Sequence, residues 1–217
     1  MSRSNSGYAG LVITITAFAW VPPVIQGFVR DYRVRWALEE AGLPYQVKLV
    51  ALGEQKAPEY RALQPFGQVP ALIDGDLVMF ETGAIVQHIA AGSPALMPAD
   101  PADRARVATW IFAALSSIEP FVLGYGETPP NTSWEPVARQ RVAQLGDVLS
   151  DREHLVADRF TAADLMMASV LRVLHSGDLL ARVPAVEAYV ARCTARPAFQ
   201  KAIADQLAGF AEHAPPS

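Results

Sequence analysis

The sequence predicts an α/β unit over residues 9–92 followed by an all-α unit over residues 93–217. Three observations carry that division. Segments of period two alternate with segments of helical period as far as Gly92. The strand pattern stops after "GSPALMPADP". Every later apolar segment repeats at helical spacing. With 217 residues, the chain can bury a substantial core without disulfides or metals.

Taken in order, "MSRSNSG" is a loose tail. "LVITIT" (11–16) alternates β-branched residues with threonine and reads as the first strand. No charge appears between Arg3 and Arg30, and "AFA" (17–19) has the look of a leader cleavage site. The strand patterning and the Pro22-Pro23 pair argue instead for a folded segment and against a membrane span. After the loop "AFAWVPPVIQG", a helix runs from about Phe28, with Val34, Ala37, Leu38 and Ala41 at i, i+3, i+4 and i+7 and Gly42 as its stop. "YQVKLVAL" is a second strand and "APEYRAL" a short helix. "VPALID" and "LVMF" form a hairpin about Asp74-Gly75. "ETGAIVQHIAAG" is a further helix, giving the order βαβαββα.

Five helical segments follow. "TAADLMMASVLRVLHSG" is apolar nearly all round and is therefore the central buried helix of its unit. Its start carries a capping signal: Thr161 at the N-cap, Asp164 three residues on, and Phe160 able to staple onto Leu165. This reading makes Asp164 a folding device rather than a catalytic acid.

Lys and Arg total 18 against 22 Asp and Glu, with no block of like charge, which excludes a nucleic-acid groove or a polybasic membrane surface. A small molecule or a protein is the expected partner. The one cysteine, Cys193, rules out an intramolecular disulfide and a Cys-rich metal site, and fits a reducing, cytoplasmic setting. It reads as an inert thiol. His88 and His154 lack partners at metal-ligand spacing, so no metal is expected.

Pro70 is the residue that stands out, because it opens an otherwise strand-like run and cannot donate a ladder hydrogen bond. Together with "RVRWALEEAGLPY", "FGQVPALIDGDLVMFETGAIVQHIA", "FTAADL" and "RPAFQKAI", in that order, it makes the chain resemble the cytosolic glutathione transferase family over nearly its whole length. The resemblance implies a thioredoxin-like first domain, a helical second domain, a homodimer and reduced glutathione as co-substrate. It also implies a cis peptide before Pro70 that turns the Val69 backbone toward the cysteinyl part of glutathione, as an added strand would lie. Glu81 and Thr82 match the pair that binds the γ-glutamyl end. Their place in the first turn of a helix suits a carboxylate, and Glu81 suits the ammonium. Gln68 matches a position that reaches the same end, and Lys56 is a candidate for the glycyl carboxylate.

One part of the family pattern is missing. The bound thiol needs a donor or positive potential to ionise near neutral pH, yet the positions where the family usually carries serine or cysteine are Phe28, Val29 and Arg30. Tyr8 lies before the strand, at its wrong end. The remaining options are Arg30, as in some bacterial members; backbone N–H groups of the first helical turn; or Gln26 or the Thr16 hydroxyl. Trp20, Phe28 and Trp110 are the expected wall for an apolar electrophile. Tyr32, Arg33 and Arg35 are expected to face a second subunit. The expected activity is attack of bound thiolate on a small apolar electrophile. The alternatives are a glutathione-dependent peroxidase or disulfide reductase, and a noncatalytic interaction module.

Overall fold

The computed structural model describes residues 12–123, 125, 134–176 and 178–215. It divides into two compact units, one comprising the chain up to Gly92 with Ala202–Ser217, the other Ser93–Lys201. The sequence reading placed all of 93–217 in one unit. The last residues group with the first unit, to which Gln206 is hydrogen-bonded through Val29 and Asp31.

In the first unit, strands β1 (Ile13–Phe18), β2 (Tyr45–Val50), β3 (Leu72–Asp74) and β4 (Leu77–Met79) form one sheet in the order β2-β1-β3-β4. β1 runs parallel to β2, from Ile13 opposite Tyr45 to Phe18 opposite Val50, and antiparallel to β3, with Ile15 opposite Leu72. β1 therefore ends two residues beyond "LVITIT", because Ala17 and Phe18 continue the ladder with β2. Leu11 and Tyr8 lie outside the described residues. The hairpin turns at Gly75-Asp76 between the paired Asp74 and Leu77, and Gly75 supplies the positive φ of 61°.

Helices α1 (Asp31–Ala41), α2 (Pro58–Arg61) and α3 (Thr82–Ala91) complete the expected βαβαββα order. α1 starts at Asp31 rather than near Phe28, because a 3-10 turn at Pro23–Ile25 and Gly27, at φ 79°, occupy the preceding residues. Gly42 stops it in the left-handed conformation, with φ 65°. All of residues 31–38 are buried. Tyr32, Arg33 and Arg35 thus point into the unit and not toward a second subunit. Arg35 pairs with Asp31 at 2.7 Å one turn away, which removes the cost of burying either charge alone.

The second unit is helical: α4 (Pro101–Ala113), a π-helical turn (Ala114–Ile118), α5 (Glu119–Val122), α6 (Glu135–Leu149), α7 (Ala162–Leu171) and α8 (Pro184–Thr194). The unit division falls inside α9 (Pro197–Glu212). Every residue of α7 is buried, as its apolar composition requires. Its start is the expected capping box: the Thr161 hydroxyl accepts from Ala163 N–H, and the Asp164 carboxylate accepts from Thr161 N–H at 2.9 Å. Asp164 also accepts from Leu155 N–H and from the Tyr189 hydroxyl at 2.9 and 3.0 Å, so one carboxylate ties three segments together.

Candidate functional site

A pocket of about 370 Å³ opens in the first unit. Its lining draws on the end of β1, the loop before α1, the loop before β3 and the start of α3. The sheet order explains this meeting: β1 and β3 are neighbours, so the segments that follow β1 and precede β3 emerge on the same side.

On one side the loop 64–71, buried at Gln64 and from Val69 to Ala71, has a well-anchored backbone. The Gln64 side-chain oxygen accepts from Phe66 N–H at 2.7 Å and from Gln68 N–H at 3.1 Å. Gly67 has φ 65°, and a Cβ there would lie 2.8 Å from the Gln55 carbonyl oxygen, so both conformation and space call for glycine. The Val69–Pro70 peptide is cis. Among the described residues no backbone hydrogen bond engages Val69, whereas its neighbours Gln68 and Ala71 are both tied back to the fold. Val69 therefore presents a free N–H and C=O beside the pocket it lines.

On the other side stands the N-terminus of α3, where the first N–H groups of a helix have no intrahelical partner and carry partial positive charge. Glu81 is the residue before the helix rather than part of its first turn. It has φ 66° and ψ 115°, and its side chain makes no capping hydrogen bond. Thr82, the first helical residue, is buried, and its Oγ1 lies 3.5 Å from Nη1 of the buried Arg33. Arg33, read from the sequence as an interface residue, thus supports the floor of the pocket.

The third wall is the loop into α1, contributed by Phe28, Val29 and Arg30, with Phe18 at the end of β1. Phe28 occupies the position where a hydroxyl or thiol was sought, and Arg30 brings a cation to the pocket. Two other sequence candidates for holding a thiolate are already engaged. The Thr16 hydroxyl is fully buried between Tyr60 and Ala71, and the Gln26 amide donates to the Val21 carbonyl at 2.9 Å. The N–H groups of Tyr32 and Arg33 donate to the carbonyls of Val29 and Arg30, so the first turn of α1 has fewer open donors than a bare helix start. Asp31 pairs with Arg35, not with the adjacent Arg30.

The pocket gathers Phe28, Arg30, Gln68, Val69, Pro70, Glu81 and Thr82. Lys56, exposed on a 3-10 turn (Glu54–Lys56), and Trp20 stand outside this lining. Trp110, half-buried on α4, belongs to the second unit. Gln64, Tyr60 and Gln206 are the contributors the sequence did not single out, and Thr16, sought there as a thiolate donor, is instead tied to Tyr60 and Ala71. Gln206 donates to the Val29 carbonyl at 2.9 Å and to the Asp31 carboxylate at 2.6 Å, fixing the turn that carries Arg30. Burial pushes the Asp31 carboxyl up in pKa, while Arg35 and Gln206 pull it back.

Cys193 is buried, and burial pushes its thiol to about 12. His88 lies 3.3 Å from Asp74, and His154 lies 3.9 Å from Asp164. Among the described residues no group of three or more His, Cys, Asp or Glu is placed to hold a metal ion. No described helix is long and apolar enough to cross a membrane.

A mixed four-stranded sheet with a cis-proline before β3, joined to a helical unit, defines a thioredoxin-like domain with an appended all-α domain. The same two-part organisation appears in the family comparisons. Residues 25–91 match the glutathione S-transferase N-terminal domain, and residues 134–197 match the C-terminal domain of that family. Glutathione S-transferase 3 of Zea mays is 36% identical over 197 residues, covering 79% of this chain and 87% of that protein. Among solved structures, a theta class glutathione S-transferase from Xanthomonas axonopodis pv. citri with glutathione bound is 28% identical. It has a TM-score of 0.72 and covers 88% of this chain and 97% of that one. A glutathione transferase from Burkholderia graminis, with two glutathione molecules bound per subunit, is 25% identical, with a TM-score of 0.76 and coverage of 88% and 87%. The chain belongs to the glutathione S-transferase family.

Proposed function

We propose that this protein is a glutathione transferase that binds reduced glutathione in the pocket of the first unit and conjugates it to a small apolar electrophile. The observation that carries the reading is the pairing, in one pocket, of an unengaged Val69 backbone edge with the N-terminus of α3. The Val69 N–H and C=O pair with the cysteinyl backbone as an added strand. The α-carboxylate of the γ-glutamyl end lies over the N–H groups of α3, Glu81 takes the ammonium, and Thr82 and Gln68 complete that subsite. Lys56 remains a candidate for the glycyl carboxylate, from outside the lining described above.

Arg30 is the group we assign to thiol activation. A guanidinium beside the sulfur stabilises thiolate over thiol and so lowers the thiol pKa. Thr16 and Gln26 are occupied elsewhere. Phe18 and Phe28 give the reacting end an apolar wall suited to an uncharged electrophile. A homodimer and a cytoplasmic setting form part of the same proposal. Light scattering on the purified protein checks the first, with a single-subunit mass as the refuting value.

Calorimetric titration with reduced glutathione at neutral pH, with Glu81→Ala alongside, tests the site. Saturable binding that is lost in the folded variant is expected, and unchanged affinity in Glu81→Ala would sink the assignment. Ultraviolet titration of the bound thiolate tests Arg30: Arg30→Gln should move the thiol pKa upward, and coincident curves reject the role. Turnover with aryl halides, compared with peroxides and small disulfides, separates conjugation from the redox reactions.

A further inference from the structure

The Val69 edge is braced from behind by a chain of hydrogen bonds through two hydroxyls that stand outside the pocket lining. Ala71 N–H donates to the Thr16 hydroxyl oxygen at 2.7 Å. The Thr16 and Tyr60 hydroxyls lie 2.7 Å apart. The Tyr60 hydroxyl donates to the Gln68 carbonyl at 2.8 Å. A phenol carries one proton, and that of Tyr60 is committed to Gln68, so the proton between the two hydroxyls belongs to Thr16. The chain therefore has one sense: Ala71 N–H to Thr16, Thr16 to Tyr60, Tyr60 to the Gln68 carbonyl. Bonds that run head to tail polarise one another, and burial in a low-dielectric setting strengthens each.

The two ends of this chain are the residues on either side of Val69–Pro70. Thr16 sits on the central strand β1 and is fully buried, and Tyr60 is 6% exposed. Gln68 is also held from its N–H side by Gln64. The backbone before and after Val69 is thus braced by two hydroxyls, beside the direct bond from Thr16 N–H to the Ala71 carbonyl at 2.9 Å, while Val69 itself stays open.

We propose that Thr16 and Tyr60 are positioning residues that set the Val69 backbone edge for glutathione, an inference that rests on the glutathione reading given above. Neither hydroxyl touches the ligand; both act through Gln68 and Ala71. Binding an extended peptide to a strand edge needs donor and acceptor at fixed spacing. Removing a hydroxyl leaves the backbone bonds that hold the fold but loosens that spacing.

The test uses the full chain and three substitutions, Tyr60→Phe, Thr16→Val and Thr16→Ser, each titrated calorimetrically with reduced glutathione and melted without ligand. Tyr60→Phe and Thr16→Val should each bind about five- to tenfold more weakly, the loss expected for one buried hydrogen bond. Thr16→Ser, which keeps the hydroxyl, should stay within about twofold of the wild type. Because one break interrupts the whole chain, the double variant Thr16→Val/Tyr60→Phe should bind no more weakly than the worse single one. Wild-type affinity in Tyr60→Phe and Thr16→Val, whatever their melting temperatures, overturns the positioning role, and so do fully additive losses. Should Tyr60→Phe not fold, the contrast between Thr16→Val and Thr16→Ser decides. Absence of glutathione binding by the wild type is a different failure, because it removes the glutathione reading itself.

Discussion

Glu81 carries a backbone cost that its side chain does not recover locally. A non-glycine residue at φ 66° is uncommon, and such conformations cost on the order of 1–3 kcal/mol. Its side chain gives the helix no cap that would offset this cost. Glu81→Gly should therefore raise stability by about 1 kcal/mol, after allowing for the greater freedom of glycine in the unfolded chain, while glutathione binding is lost. Urea unfolding together with calorimetry checks both signs, and a fall in stability refutes the argument. Cys193 gives a second expectation at this scale. With its thiol pushed to about 12 and its side chain buried, the native protein should not react with a disulfide reagent at pH 8, and should release one equivalent on denaturation. Rapid reaction in the native state would contradict that burial.

At the scale of elements, the parts set by near neighbours in sequence were legible, and those set by distant side chains were not. The α7 capping box lies within four residues, and the Gly42 stop and the Asp74-Gly75 hairpin are equally local. Pro70 and the Glu81-Thr82 pair were legible through the family resemblance. By contrast, Thr16 meets Tyr60 across 44 residues, with no periodicity to announce it. Arg33 and Arg35 were placed at a subunit interface on the family resemblance alone, whereas both are buried within the unit. The available signal was the i,i+4 spacing of Asp31 and Arg35, which is an ion pair in any helix that contains it. Gly146 shows how packing overrides propensity: a Cβ there would lie 2.5 Å from a Val183 methyl group. Gly146→Ala inside α6 would gain up to about 1 kcal/mol of helix propensity in isolation. Within this unit the overlap should make it a net loss of about 1–2 kcal/mol, measurable as a lowered urea midpoint.

At the scale of the whole molecule, division into an α/β and a helical unit was legible from the point at which strand patterning ceases. Allocation of the last residues was not, because the amide of Gln206 carries no mark of its partners. Gln206→Ala should cost about 2 kcal/mol, the penalty for leaving a buried carboxylate and carbonyl short of a donor. It should also weaken glutathione binding through the loosened Val29–Asp31 turn. Unaltered stability and affinity would show that the amide is dispensable. The same contact sets a timetable for the newborn chain. Gln206 lies 175 residues after Asp31, and translation proceeds at about 5–20 residues per second, so the ribosome makes the amide about 10–35 s later than its carboxylate. Once residues up to Gly92 have been made, the α/β unit has the Asp31 carboxylate and its Arg35 partner in hand but must wait for the rest of that interval for the Gln206 amide.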